Sequence, residues 1–85
     1  MYLEIITPDE NVFEGEVESA MFPGSDGSFQ VLNDHAPLVS SVGKGDVKIM
    51  RLHDKKTEEI HFSIDGGVVE VLNNKILVLA ESIGE

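Results

Sequence analysis

"VKIMRLHDKKTEEIHFSI", residues 47 to 64, places Val47 and Ile49 on one side of a polar cluster and Ile60, Phe62 and Ile64 on the other, each separated from the next by a single residue. A period of two is the signature of a half-buried strand, and two such runs around Asp54-Lys55-Lys56 read as an antiparallel hairpin. With Asp54 to Thr57 as a four-residue loop, His53 faces Glu58, Arg51 faces Ile60, Ile49 faces Phe62 and Val47 faces Ile64. The apolar residues of both strands then share one face. Lys48, Met50 and Leu52 lie on the other face, against Ser63, His61 and Glu59.

The same period recurs outward from this hairpin. Leu3 and Ile5 alternate with Glu4 and Ile6, and Val17, Ser19 and Met21 alternate with Glu16, Glu18, Ala20 and Phe22. Turn residues interrupt these runs at short intervals, as in Pro8-Asp9-Glu10-Asn11, Pro23-Gly24-Ser25-Asp26-Gly27, Gly43-Lys44-Gly45-Asp46, Asp65-Gly66-Gly67 and Asn73-Asn74. No helical stripe competes with them. Eight to ten short strands in 85 residues predict an all-β chain, a sandwich or a small barrel.

Size and charge set further bounds. One domain of this length buries roughly 60 to 65% of the surface its unfolded chain exposes. With no cysteine, the core must hold by packing two layers together. The N-terminus shows neither a basic leader nor a long apolar block, and the longest apolar run is far short of a membrane span, which predicts a cytosolic chain. Of the net charge of −10, residues 1 to 43 carry −8, with eight acidic side chains and no Lys or Arg. Such a surface repels phosphate backbones and anionic headgroups, which argues against nucleic acid and against direct membrane insertion. Two roles fit the acids: docking a neutral or basic protein, or simply keeping a small domain soluble.

The residues offer little chemistry. The hairpin register puts His53 and His61 on opposite faces, and His35 beside Asp34 lacks a further ligand at metal spacing. Ser25, Ser28, Ser40, Ser41 and Ser63 sit in no nucleophile elbow, and Gly43-Lys44-Gly45 lacks the strand-to-helix setting of a phosphate loop. The expectation is no catalytic residue, no metal and no cofactor.

One stretch stands apart: "GSFQVLNDHAPLVSSVGKGDVKI", residues 27 to 49, with Asn33-Asp34-His35-Ala36-Pro37 between apolar runs. It resembles the block G-x-[FL]-x-[VI]-L-x-x-H-A-P-L-[LV]-[ST] of the ε subunit of bacterial F-type ATP synthase, whose mitochondrial counterpart is called δ. The opening "LEIITPDENVFEGEVESAMFPGSDGSFQVL" and the closing "FSIDGGVVEVLNNKILVLAE" resemble the same family in the same order, from about Leu3 to Glu81.

The resemblance implies a ten-stranded antiparallel β-sandwich of two sheets, a flattened barrel, forming residues 1–85 as a single domain. Its role would be that of a non-catalytic central-stalk subunit, a monomer when isolated. In the enzyme it would link the γ subunit to the ring of c subunits and couple proton flow to ATP synthesis, peripherally, at the cytoplasmic face of the bacterial plasma membrane. The polar loops of the ring would meet Ser28, Asn33, Asp34 and His35. The γ subunit would meet Thr7, Pro8, Ala36, Leu38, Val39 and Ser40. For His35 a second role stays open, that of hydrogen-bonding a neighbouring carbonyl to hold the loop. Most bacterial members continue into two C-terminal helices with inhibitory and, in some, nucleotide-binding roles. The sequence stops at "LAESIGE", so that two-helix domain is expected to be absent and neither role is assigned. A free-standing β-sandwich that binds another protein is the alternative of a different class.

Overall fold

A computed structural model describes residues 1–84. Its strands are β1 (Tyr2–Ile6), β2 (Asn11–Glu16), β3 (Ser19–Phe22), β4 (Phe29–Leu32), β5 (Leu38–His53), β6 (Lys56–Leu72), β7 (Lys75–Ala80) and β8 (Ile83–Gly84). The all-β expectation holds, with a different division of the chain. β5 and β6 are continuous strands of 16 and 17 residues, so Gly43-Lys44-Gly45 and Asp65-Gly66-Gly67 are bends within strands rather than turns between them. All eight strands belong to one hydrogen-bonded sheet, in the order β2-β1-β7-β6-β5-β3-β4 with β8 on β6.

That sheet folds over itself at the two bends. Residues 38–42 of β5 pair with residues 67–71 of β6, beside β7, while residues 44–53 pair with residues 56–65, beside β3. One layer is therefore β2, β1, β7 and the near halves of β6 and β5. The other is β8, the far halves of β6 and β5, then β3 and β4. Counting each bent strand as two arms gives the expected ten, five per layer. Glycine makes the bend possible. Gly66 and Gly67 hold φ of 124° and 151°, and a Cβ on Gly67 would overlap the Leu79 carbonyl oxygen and sit 3.0 Å from the Ala80 Cα.

Two further expectations need correction. The sandwich is not wholly antiparallel, because β1 runs parallel to β7, Leu3 beside Ile76 and Ile5 beside Val78. Parallel neighbours need a long connection, and here β2 to β6 supply it. The hairpin register also shifts by two. Asp54 and Lys55 alone form the turn, both at positive φ (49° and 65°), so His53 pairs with Lys56, Arg51 with Glu58, Ile49 with Ile60 and Val47 with Phe62. Two residues at positive φ match the twist of the flanking strands, which a longer loop would not need. Because the shift is even, the inward side stays inward. His53 and His61 do lie on opposite faces.

Between the layers, Leu3, Ile5, Phe22, Val31, Ile49, Ile64, Val69, Ile76 and Val78 are fully buried. Each such side chain contributes about 1.5–3 kcal/mol by leaving water. The phase of β3 departs from the expected one: Ala20 and Phe22 are buried while Met21 faces out. The chain crosses from one layer to the other at Val17-Glu18, and the crossing resets the alternation. At the β2 side, Phe13 meets Phe62 edge to face at 5.8 Å, and Arg51 lies 5.8 Å over Phe13 while bonding Glu58 at 2.7 Å.

Candidate functional site

Residues 33–37 connect β4, the edge strand of one layer, to the near half of β5, the edge strand of the other. The two open edges therefore lie on the same side of the sandwich. The β3–β4 loop confirms the proximity: Gly24 bridges to Val42, and the Ser25 N–H donates to the Ser41 carbonyl at 3.4 Å.

The loop is exposed from Asn33 to Pro37, yet its backbone is tied at several points. Asp34 takes φ of 61°, a conformation that Asp tolerates better than most residues. The His35 N–H donates to the Leu32 carbonyl at 3.2 Å, closing the turn, and Pro37 restrains the approach to β5. His35 Nδ1 donates to the Ala36 carbonyl at 2.7 Å. A carbonyl can only accept, so Nδ1 carries the hydrogen and the neutral ring offers Nε2 as an acceptor. The loop-holding role considered for His35 is thus present, and it leaves one ring nitrogen without a partner among the described residues.

The four residues read as ring-facing do not form one cluster. Asn33, Asp34 and His35 are contiguous, whereas Ser28 lies at the opposite end of β4, about 17 Å away at strand spacing. Any single surface that includes all four must run along the outer edge of β4. Gln30 and Leu32 then belong to it; both are exposed, Leu32 by 54%. The alternation of "FQVL" marks these two as outward-facing, but only the position of β4 at a sheet edge makes them candidates.

The other group of residues also divides. Thr7 and Pro8 follow β1, whose last pair, Ile6 with Leu79, is three strands from β5, about 14 Å. Val39 faces out and is 71% exposed, while Leu38 packs against the core and Ser40 is half-buried on that same side. Ala36 is exposed in the loop. Val68, Leu72 and Leu79, on β6 and β7, share the outer face with Val39 and are 40–49% exposed. With Val39 they make a largely apolar face around the exposed Glu70, which pairs with Val39 and Leu77. Val68, Leu72 and Leu79 give no sign of this face in the sequence, because each belongs to a strand also rich in buried residues. Shallow grooves border it, one lined by Pro37, Val39 and Leu72, another by Ile6, Pro8 and Leu79.

The opposite face carries an ionic group: His61 meets Glu59 at 2.7 Å, and Lys48 meets Glu59 at 3.6 Å. The His61 hydrogen bond, helped by the Lys48 charge, lowers the Glu59 carboxyl below its ordinary 4.5. Among the described residues no three His, Cys, Asp or Glu side chains are grouped to hold a metal ion.

The geometry offers one loop-and-edge surface and one largely apolar face. Residues 1–85 match the family described as "ATP synthase, Delta/Epsilon chain, beta-sandwich domain". The chain belongs to that family. Its relatives include the ATP synthase epsilon chain of Salinibacter ruber, 41% identical over 95% of this chain and 58% of the relative. That of Chlorobium limicola is 42% identical over 95% of this chain and 89% of the relative. The chain thus spans under two thirds of the first and nearly all of the second. The fold of this delta/epsilon-family chain also matches a chain of the Tetrahymena thermophila mitochondrial ATP synthase central stalk and c-ring, at a TM-score of 0.82 and 18% identity. That match covers 99% of this chain and 65% of the other. A chain of the Euglena gracilis mitochondrial ATP synthase matches at a TM-score of 0.80 and 19% identity, over 96% of this chain and 51% of the other.

Proposed function

We propose that this chain is a non-catalytic rotor subunit of ATP synthase, a single β-sandwich domain that links the γ subunit to the c-ring and couples proton flow to ATP synthesis. The observation that carries the reading is the family match over residues 1–85. The sandwich offers two separate surfaces for the two partners. The ring-facing surface is Ser28, the outer edge of β4 with Gln30 and Leu32, and the Asn33-Asp34-His35 loop. The γ-facing surface is the apolar face of Val39, Val68, Leu72 and Leu79, bordered by Thr7 and Pro8 at one end and Ala36 at the other. Leu38 and Ser40 support it from the core side rather than by side-chain contact. The subunit is held at the membrane through the complex, on the cytoplasmic side of the bacterial plasma membrane, and is a monomer when isolated.

A rotor subunit transmits torque, so damage to the ring-facing loop should spare ATP hydrolysis by the soluble catalytic head and weaken its link to proton flow. Asp34→Lys reverses the charge at an exposed position without touching the core. The family resemblance implies an Arg in the polar loop of the c subunit, and like charges at a close contact can cost several kcal/mol. The expected outcome is a folded chain that still binds γ, with reduced proton-driven ATP synthesis in reconstituted membranes. Normal coupling across a range of salt concentrations would contradict the ring-facing assignment.

A further inference from the structure

The loop at residues 33–37 is exposed along its whole length, yet it is held from a distant part of the chain. Asn74 is the second residue of the β6–β7 turn, with φ of 61°, and its side chain reaches across the end of the sandwich. Its Oδ1 accepts the Asp34 N–H at 2.8 Å, and its Nδ2 donates to Asn33 Oδ1 at 3.0 Å. The orientation of the amide is forced, because a backbone N–H can only donate and the oxygen must face it. The Asn74 carbonyl accepts the Tyr2 N–H at 3.2 Å, which ties the turn to the first strand as well. One half-buried residue thus holds the backbone of Asp34, the residue in the left-handed conformation, and the side chain of Asn33, whose Oδ1 also accepts from the N-terminal amine at 3.3 Å.

We propose that Asn74 is a positioning residue: from the β6–β7 turn it clamps Asn33 and Asp34 and so presets the conformation in which the His35 loop meets the c-ring. This rests on the ring-facing reading given above. A loop already in its docked shape loses little conformational freedom on binding, whereas an untied loop must be ordered at each encounter. The side chain does this without itself being part of the ring-facing surface, so its effect is on the population of the competent loop.

Asn74→Gly isolates the role. Glycine suits positive φ and Asn-Gly is a favoured pair for this turn, so the hairpin is kept while the amide is lost. Asn73→Gly alters the same turn and keeps the clamp. The measurement is amide hydrogen exchange of the full chain, resolved by NMR, together with proton-driven ATP synthesis after reconstitution. Loss of a hydrogen bond of ordinary strength should raise exchange at Asp34 about tenfold in Asn74→Gly. Exchange at Val69 and Val78 should stay at parent rates, and coupled synthesis should fall. Asn73→Gly should leave the Asp34 rate unchanged. Parent-like exchange at Asp34 in Asn74→Gly would overturn the clamp. Faster exchange with undiminished coupling would leave the clamp but overturn the positioning role, while the ring-facing reading itself stands or falls with Asp34→Lys.

Discussion

Gly67 is the residue on which the bend of β6 depends most. A methyl group there meets backbone, the Leu79 carbonyl oxygen and the Ala80 Cα, and backbone cannot move aside as a flexible side chain can. Gly27 also holds positive φ, 122°, but an added Cβ would have nothing within 4 Å. The pair separates conformational strain from steric overlap. Gly27→Ala should cost about 1 kcal/mol, the price of a left-handed alanine, while Gly67→Ala should cost about 3 kcal/mol or more. Urea unfolding of both variants decides it, and equal costs would remove the overlap from the account. The importance of Gly67 is only half legible in the sequence. Adjacent glycines announce unusual backbone, but whether they make a turn or bend a strand depends on pairing with Leu79 and Ala80 on another strand.

Among the elements, the β5–β6 hairpin shows what local pattern reading can and cannot do. The alternation of Val47, Ile49, Ile60, Phe62 and Ile64 sets which residues face inward, and the structure keeps that side. The turn length escaped because Lys55 gives no hint that it sits at φ of 65°, so a two-residue turn and a four-residue loop satisfy the apolar pattern equally. Lys55 is also where the element can be improved. Replacing it by glycine relieves a left-handed strain of ~1–2 kcal/mol, against ~0.5–1 kcal/mol of added freedom in the unfolded chain. Lys55→Gly should raise stability by about 0.5–1 kcal/mol, which for a domain of this size is a few degrees in Tm. Thermal unfolding followed by circular dichroism tests this, and a lowered Tm would show that the turn is held by contacts of the lysine side chain. The parallel pairing of β1 with β7 had no local signal at all, since it joins residues more than 70 positions apart in sequence.

For the whole molecule, the two candidate surfaces were visible in the sequence only as short segments. The Asn33-Asp34-His35 loop stood out because a polar, proline-stiffened stretch interrupts two apolar runs. Gln30 and Leu32 did not: the alternation of "FQVL" turns them outward, but only the place of β4 at a sheet edge puts them on one surface with the loop. Nor did Asn74, whose partners lie 40 and 41 residues away. The apolar face of Val39, Val68, Leu72 and Leu79 is assembled from three strands and exists only in the folded sheet. The central claim is that these two surfaces meet different partners, and the chain is well suited to a direct test because it contains no cysteine. Single cysteines at Leu32 and His35 probe the loop-and-edge surface, those at Val39 and Leu79 the apolar face, and one at Lys56, in the far hairpin, serves as control. After incorporation into ATP synthase membranes and treatment with a short photoactivatable cross-linker, the partner of each is identified by mass spectrometry. The account predicts c-subunit adducts from Leu32→Cys and His35→Cys, γ adducts from Val39→Cys and Leu79→Cys, and neither from Lys56→Cys. Adducts to γ from the His35 loop together with c-subunit adducts from the apolar face would contradict it.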